Sequence, residues 1–322
     1  MGKYILRRFL YMIPVLIGVS LIIFTVLYLT PGDPAMMILG EDAGQEAIEE
    51  LREEMGLNNT FLVRFFNYLR GALNGDLGTS YTTGQPVLDE LFTRYPTTIT
   101  LAIVSTIVAI LVAIPLGILS AVYQNSLIDG ISRVIAMVGV SMPNFWQGLL
   151  NILIFSVYLK WLPSSGFSSP LHWILPAVTI GTSGAAAIMR TTRSSMLETI
   201  RQDYIRTARA KGASEFSVIW KHALRNALIP VLTIIGIRFG ASLGGAIVTE
   251  QVFGIPGIGK LMIDSINTRN YPVIQGGVLL IALAYSVINL IVDILYAYVD
   301  PRIKSQYSAG KSKSRPKQQE AA

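Results

Sequence analysis

Residues 199–230 read TIRQDYIRTARAKGASEFSVIWKHALRNALIP, the longest polar interval in the second half of the chain. It carries Arg201, Arg206, Arg209, Lys211, Lys221 and Arg225 against only Asp203 and Glu215, and it lies between two apolar runs. A basic loop between membrane spans belongs on the cytoplasmic side. The same stretch reads as helix, turn, helix. Tyr204, Ile205, Ala208 and Ala210 form a short apolar stripe. Gly212 after Lys211 supplies a helix stop, and Ser214 caps a second helix. In that helix Phe216, Ile219, Trp220, Ala223, Leu224 and Ala227 recur at helical spacing. Two amphipathic turns with six cations suit a surface that docks something from the cytosol.

Outward from this stretch the chain is apolar. Of 322 residues 52% are hydrophobic and 14% charged, against about 25% charged in a soluble domain. There is no cysteine, so disulfides, thiolate metal sites and cysteine nucleophiles are excluded, and two histidines fifty residues apart make no metal site. Apolar runs predict six spans, near residues 9–32, 97–122, 134–159, 172–189, 228–249 and 272–299. The first follows Lys3, Arg7 and Arg8 and is too long for a leader's apolar region. Between the first two spans, residues 33–94 hold eleven acidic and four basic residues, which predicts an external subdomain of short helices. With both termini inside, eighteen Lys and Arg fall in cytoplasmic segments and seven outside, while Arg238 lies within the fifth span. The net charge of +6 is thereby explained by topology, without nucleic acid.

Two motifs invite enzymatic readings. Residues 254–260, GIPGIGK, match GxxxxGK, but Leu261 stands where a magnesium ligand is needed and no strand precedes the loop. The plain reading is a glycine-proline turn. Residues 240–244, GASLG, match GxSxG, and His172 at the rim of another span leaves a dyad with Ser242 open. Against that, Gly236, Gly240 and Gly244 fall four apart, a small-residue face for helix packing. Ionisable groups inside spans are functional candidates. Arg238 lines the path and meets a substrate carboxylate, pairs with another polar group, or reaches toward water along a partner helix. Asp293, near Asn289 in the inner half of the sixth span, fits a structural hydrogen bond rather than proton coupling. Glu250, at the outer end of the fifth span, either helps gate the mouth or is solvated.

Several segments together resemble the membrane subunit of the dipeptide/oligopeptide/nickel ABC importer family. They are residues 4–9 (YILRRF) and 13–20 (IPVLIGVS), Pro31-Gly32-Asp33-Pro34, Gly75-Asp76-Leu77-Gly78-Thr79-Ser80, Arg94-Tyr95-Pro96-Thr97-Thr98, Ser141-Met142-Pro143-Asn144-Phe145-Trp146, Thr249-Glu250-Gln251-Val252-Phe253, Pro256-Gly257-Ile258-Gly259, Tyr271-Pro272-Val273-Ile274-Gln275-Gly276 and Asp300-Pro301-Arg302. The resemblance runs from about residue 3 to 305. Arg206-Thr207-Ala208 stands where the family has Glu-Ala-Ala, and Gly212 stands at its glycine.

The resemblance implies an all-α membrane protein of the type I importer permease fold, of the first permease type. Its parts would be a first span (1–32), an external subdomain (33–96), a five-helix core (97–299) with a coupling loop (190–228), and a basic tail (300–322). It implies that Tyr204, Arg206, Thr207, Ala208, Ala210, Lys211 and Gly212 couple to an ATPase. Ser141, Asn144, Arg238 and Glu250 are the substrate-path candidates. The implied partners are a second related permease, two cytoplasmic ATPases that use ATP and magnesium, and an extracytoplasmic binding protein. The chain itself, in a bacterial or archaeal plasma membrane, would hold no cofactor and catalyse nothing. Peptides are the expected cargo, with nickel chelates or another small solute as the alternative. A self-contained secondary transporter would show internal repeats, and none is visible.

Overall fold

A computed structural model describes residues 2–40 and 43–299; the tail expected over 300–322 lies outside the described residues. Its elements are α1 (Gly2–Leu29), α2 (Pro34–Leu39), α3 (Gln45–Glu54), α4 (Phe61–Leu73), α5 (Val87–Val122), α6 (Leu127–Ser141), α7 (Asn144–Asn151), α8 (Leu171–Ile200), α9 (Asp203–Ala210), α10 (Glu215–Ser217), α11 (Leu224–Phe253), α12 (Ile258–Asn267) and α13 (Tyr271–Val299). Two π-helical stretches, Ile152–Tyr158 and Val218–Ala223, extend α7 and join α10 to α11. Among the described residues the β structure is limited to an isolated antiparallel bridge between Thr79 and Pro86.

Among the described residues five helices are long and apolar enough to cross a bilayer: Ile5–Leu29, Val87–Val122, Leu171–Ile200, Glu215–Gly244 and Tyr271–Leu295. The expected third span is not one straight helix. Leu127–Ser141 and Asn144–Tyr158 meet at 106°, because Pro143 has no N–H to continue the ladder and becomes the N-cap of α7. Ala246–Phe253 and Ile258–Asn267 form a second elbow of 80°. Other spans are longer than hydropathy alone suggested. α5 begins at Val87, ten residues early, and takes Pro96 inside it. α8 runs eleven residues beyond Met189, carrying Arg190 and Arg193 on a helix rather than a loop.

The centre is the pair α5 and α8, which approach closely through small residues. A Cβ on Gly117 would meet the Met189 carbonyl at 2.9 Å, and one on Gly181 would meet the Ser105 carbonyl at 2.8 Å. With no water to expel from between lipid-facing helices, such close backbone contact is what holds membrane helices together. α11 packs on α13 in the same way: Gly236 faces Val292 and Gly240 faces Tyr285, whereas Gly244 opens on empty space. The small-residue face is therefore two glycines long.

α1 is peripheral, with 11% of its apolar window buried. It is held at one end by Phe24, packed edge-on against Phe61 and Phe65 of α4, and at the other by an Arg8–Asp293 ion pair at 2.9 Å. Asp293 thus finds its partner on α1 rather than at Asn289, whose side chain donates to the Tyr285 carbonyl instead.

Candidate functional site

α9 is seated by one side chain. Ile205 is fully buried among Ile118 and Ala121 of α5, Met196 of α8, and Val218, Ala223 and Ala227 from the following helical run. Full burial of such a side chain contributes about 1.5–3 kcal/mol. Ala208 packs half-buried against the same cluster. Tyr204, Arg206, Thr207, Ala210, Lys211 and Gly212 are exposed. The apolar stripe is therefore Ile205 and Ala208 alone. Tyr204 leaves it to accept a hydrogen bond from Asn226 Nδ2 at 2.7 Å, and Ala210 faces outward.

The end of α9 is a complete Schellman motif. The Ala213 N–H returns to the Ala208 carbonyl at 3.2 Å, and the Gly212 N–H to the Arg209 carbonyl at 2.9 Å, with Gly212 at φ +81°. Arg209 then grips both carboxylate oxygens of Glu215 across the turn, at 2.7 and 3.2 Å. These bonds hold the Arg209 guanidinium above its usual pKa. Ser214 caps the next helix by accepting from the Ser217 N–H.

That helix does not keep α-helical phase. The i→i+5 bonding over Val218–Ala223 widens the turn. Val218, absent from the expected stripe, becomes fully buried. Phe216 and Trp220, expected inside, are 73% and 43% exposed and pack ring to ring at 6.0 Å. The result is a cationic face on α9 beside an exposed aromatic pair, all on one helical hairpin.

A buried carboxylate ties this end of α8 to the bent span. Asp129 is fully buried. It accepts Arg193 Nε and Nη2 at 2.9 and 2.8 Å, Ser120 Oγ at 2.5 Å and the Asn125 N–H at 3.0 Å. The sequence marks Asp129 only as a loop charge, and no local spacing points to Arg193.

The four substrate-path candidates do not form one cluster. Ser141 and Asn144 flank the 106° corner. Ser141 is exposed, with its hydroxyl donating to the Met137 carbonyl, and Asn144 is half-buried. Arg238 is half-buried in mid-α11, and its Nε has no hydrogen-bond partner among the described residues.

Glu250 is neither solvated nor open to a mouth. It is fully buried, accepts Thr98 Oγ1 at 2.7 Å and the Lys260 N–H at 3.1 Å, and is also approached by the Gly259 N–H. The GxxxxGK turn therefore wraps around the protein's own carboxylate. A Cβ on Gly257 would lie 2.2 Å from Glu250 Oε1. The hydrolase reading fails as well: Ser242 Oγ donates to the Phe239 carbonyl, while His172 Nδ1 pairs with Ser169.

A polar seam between α7 and α8 was not anticipated. Gln147 donates to Thr182 and Asn151 to Thr179, the latter at 3.0 Å, and the Gln147 side-chain carbonyl oxygen is buried without a hydrogen-bond partner among the described residues. Gln147 and Thr182 line a cavity of ≈ 180 Å³ with Gly139 and Met189.

Residues 113–305 match the family described as "Binding-protein-dependent transport system inner membrane component", and residues 1–102 match the corresponding N-terminal family. The chain is 46% identical over 332 residues to a dipeptide transport system permease protein of Alkalihalophilus pseudofirmus, covering 94% of this chain and all of the relative. It is 45% identical over 304 residues to a glutathione transport system permease protein of Escherichia coli O6:H1, covering 94% of this chain and 99% of that one. In solved structures, an inward-facing methionine ABC transporter superimposes with a TM-score of 0.57 at 20% identity, over 66% of this chain and 96% of that one. That likeness concerns the fold.

Proposed function

The chain belongs to the family of binding-protein-dependent transport system inner membrane components and is a permease subunit of an ABC importer, from which we propose that it forms half of a path for di- or oligopeptides. The family is one of multi-pass membrane transport subunits rather than enzymes, and its members work with ATPase and substrate-binding components. Peptide cargo is favoured by the names of the relatives, one a dipeptide and one a glutathione permease. A nickel chelate or another small solute is the second reading of the cargo, and nothing in the site favours it.

The observation that carries the mechanism is the build of α9. It is a short helix pinned through one buried residue, sealed at its end, and otherwise turned outward with Arg206 and Lys211 exposed. In this reading it is the coupling helix, on the cytoplasmic side, seated in a groove of one of two ATPases. Phe216 and Trp220 extend its docking surface, because aromatic and arginine side chains dominate the energetics of protein interfaces. A second, related permease supplies the other half of the path, and a binding protein delivers cargo from outside. ATP and magnesium belong to the ATPases. Closure of the ATPase dimer draws the α9 hairpin inward. α8 and α11, which enter and leave it, tilt with it, so that the path alternates between its two openings. Ser141, Asn144 and Arg238 are the side chains we place toward the cargo; Glu250 is occupied in holding the outer elbow.

Affinity purification of the tagged chain tests this. The expected result is co-isolation of two ATPase copies and a second permease, with peptide uptake in liposomes only when ATP and binding protein are present. Uptake by the chain alone would refute the proposal.

A further inference from the structure

A cavity of ≈ 490 Å³ opens between the segment after α1 and the ends of α1 and α13, at the end of the bundle opposite α9. Its size falls within the range of about 300–1,000 Å³ typical of small-molecule sites. Phe24, Leu27 and Tyr28 form one wall, Tyr81, Tyr271 and Gln275 another, and Arg64, Asn67 and Tyr68 of α4 a third.

Three features of this lining call for an anion. Arg64 carries its guanidinium over the Tyr28 ring at 5.5 Å and has no carboxylate partner among the described residues. The cavity's other cation, Arg52, is spent on Asp33, at 2.6 and 2.8 Å, and on Glu49. The Tyr68 and Tyr271 hydroxyls are buried with no hydrogen-bond partner among the described residues, and Tyr271 as a whole is only 9% exposed. Burial pushes the Tyr68 and Tyr81 phenols up to about 12, further from the phenolate. Buried hydroxyls without partners are uncommon, since each forgoes the hydrogen bond it would make in water. A cation backed by an aromatic ring, beside phenols that lack acceptors, matches an oxyanion.

We propose that this cavity binds a carboxylate or phosphate group carried on an apolar body, with Arg64 as its counter-ion and the aromatic walls holding the body. Two sources present that chemistry at this end of the bundle: a soluble peptide acid and a phospholipid. The site is distinct from α9 and from the corner at Ser141 and Asn144.

The full chain in detergent micelles is titrated with two probe pairs. One is the dipeptide Ala-Phe against its C-terminal amide; the other, read by native mass spectrometry, is phosphatidylglycerol against diacylglycerol. The expected result is saturable binding of one acidic probe, at least tenfold tighter than its uncharged counterpart, and a loss of at least tenfold in Arg64→Gln. Whichever acid binds names the source. Should Arg64→Gln not purify folded, the Tyr68→Phe, Tyr271→Phe double variant keeps both rings and removes both hydroxyls, and at least threefold weaker binding is expected. The proposal is overturned if neither acid binds saturably, or if binding is unchanged in whichever variant folds.

Discussion

Gly212 is the single residue on which the α9 turn depends. Its φ of +81° lies in the left-handed region, and its N–H is spent on the Arg209 carbonyl. A Cβ there meets nothing within 4 Å, so the obstacle to substitution is the backbone and not the neighbours. Gly212→Ala is expected to cost about 1–2 kcal/mol of local strain and to leave partial transport. Gly212→Pro removes the donor and forces φ negative. Uptake in proteoliposomes is then expected to fall at least tenfold, with ATP hydrolysis no longer stimulated by binding protein, while the chain still inserts. Normal uptake by Gly212→Pro would remove the coupling role proposed for this turn. This residue was legible in the sequence because a glycine stop is local chemistry. Glu250 was not, because its hydroxyl partner, Thr98, is 152 positions away.

At the scale of elements, the helices were legible from apolar runs, but their phase and straightness were not. The π-helical turn over Val218–Ala223 has no residue signature, and it reversed the expected places of Val218 and Trp220. Trp220→Ala is expected to leave the fold intact, since the ring is exposed, and to weaken ATPase docking by about 2 kcal/mol, roughly thirtyfold. Titration of the purified ATPase onto the membrane-embedded permease measures this, and unchanged affinity would confine Trp220 to a lipid-facing role. The Asp129–Arg193 clasp belongs to the same scale, because it fastens α8 to the start of the bent span. Arg193→Ala removes the two-pronged partner of a buried carboxylate, leaving it the longer Arg133 contact at 3.3 Å, and is expected to destabilise the fold by about 3 kcal/mol. Arg193→Lys keeps the charge but loses the two-pronged contact, so it should fall between. Thermal unfolding in detergent reads the order, and equal stability of all three would show that the clasp is slack.

At the scale of the whole molecule, the sequence supports one orientation through the uneven placement of Lys and Arg, and labelling checks it. The chain has no native cysteine, so single-cysteine variants report cleanly. Lys211→Cys should react with a membrane-impermeant maleimide only after the cells are opened. Leu73→Cys, on a side chain 88% exposed at the end of α4, should react in intact spheroplasts. The reverse pattern would invert the molecule and detach α9 from any cytosolic motor.

From Glu215 to Phe253 the helical path is unbroken, roughly 58 Å at about 1.5 Å per residue, nearly twice the ~30 Å hydrocarbon thickness of a bilayer. One tip of this beam is joined to the α9 hairpin by the Arg209–Glu215 pair, and the other is riveted to α12 by a carboxylate sunk in a nest of amides. In the proposed coupling, a path tied at both tips would carry a tug on the near hairpin across to the far elbow as a seesaw does.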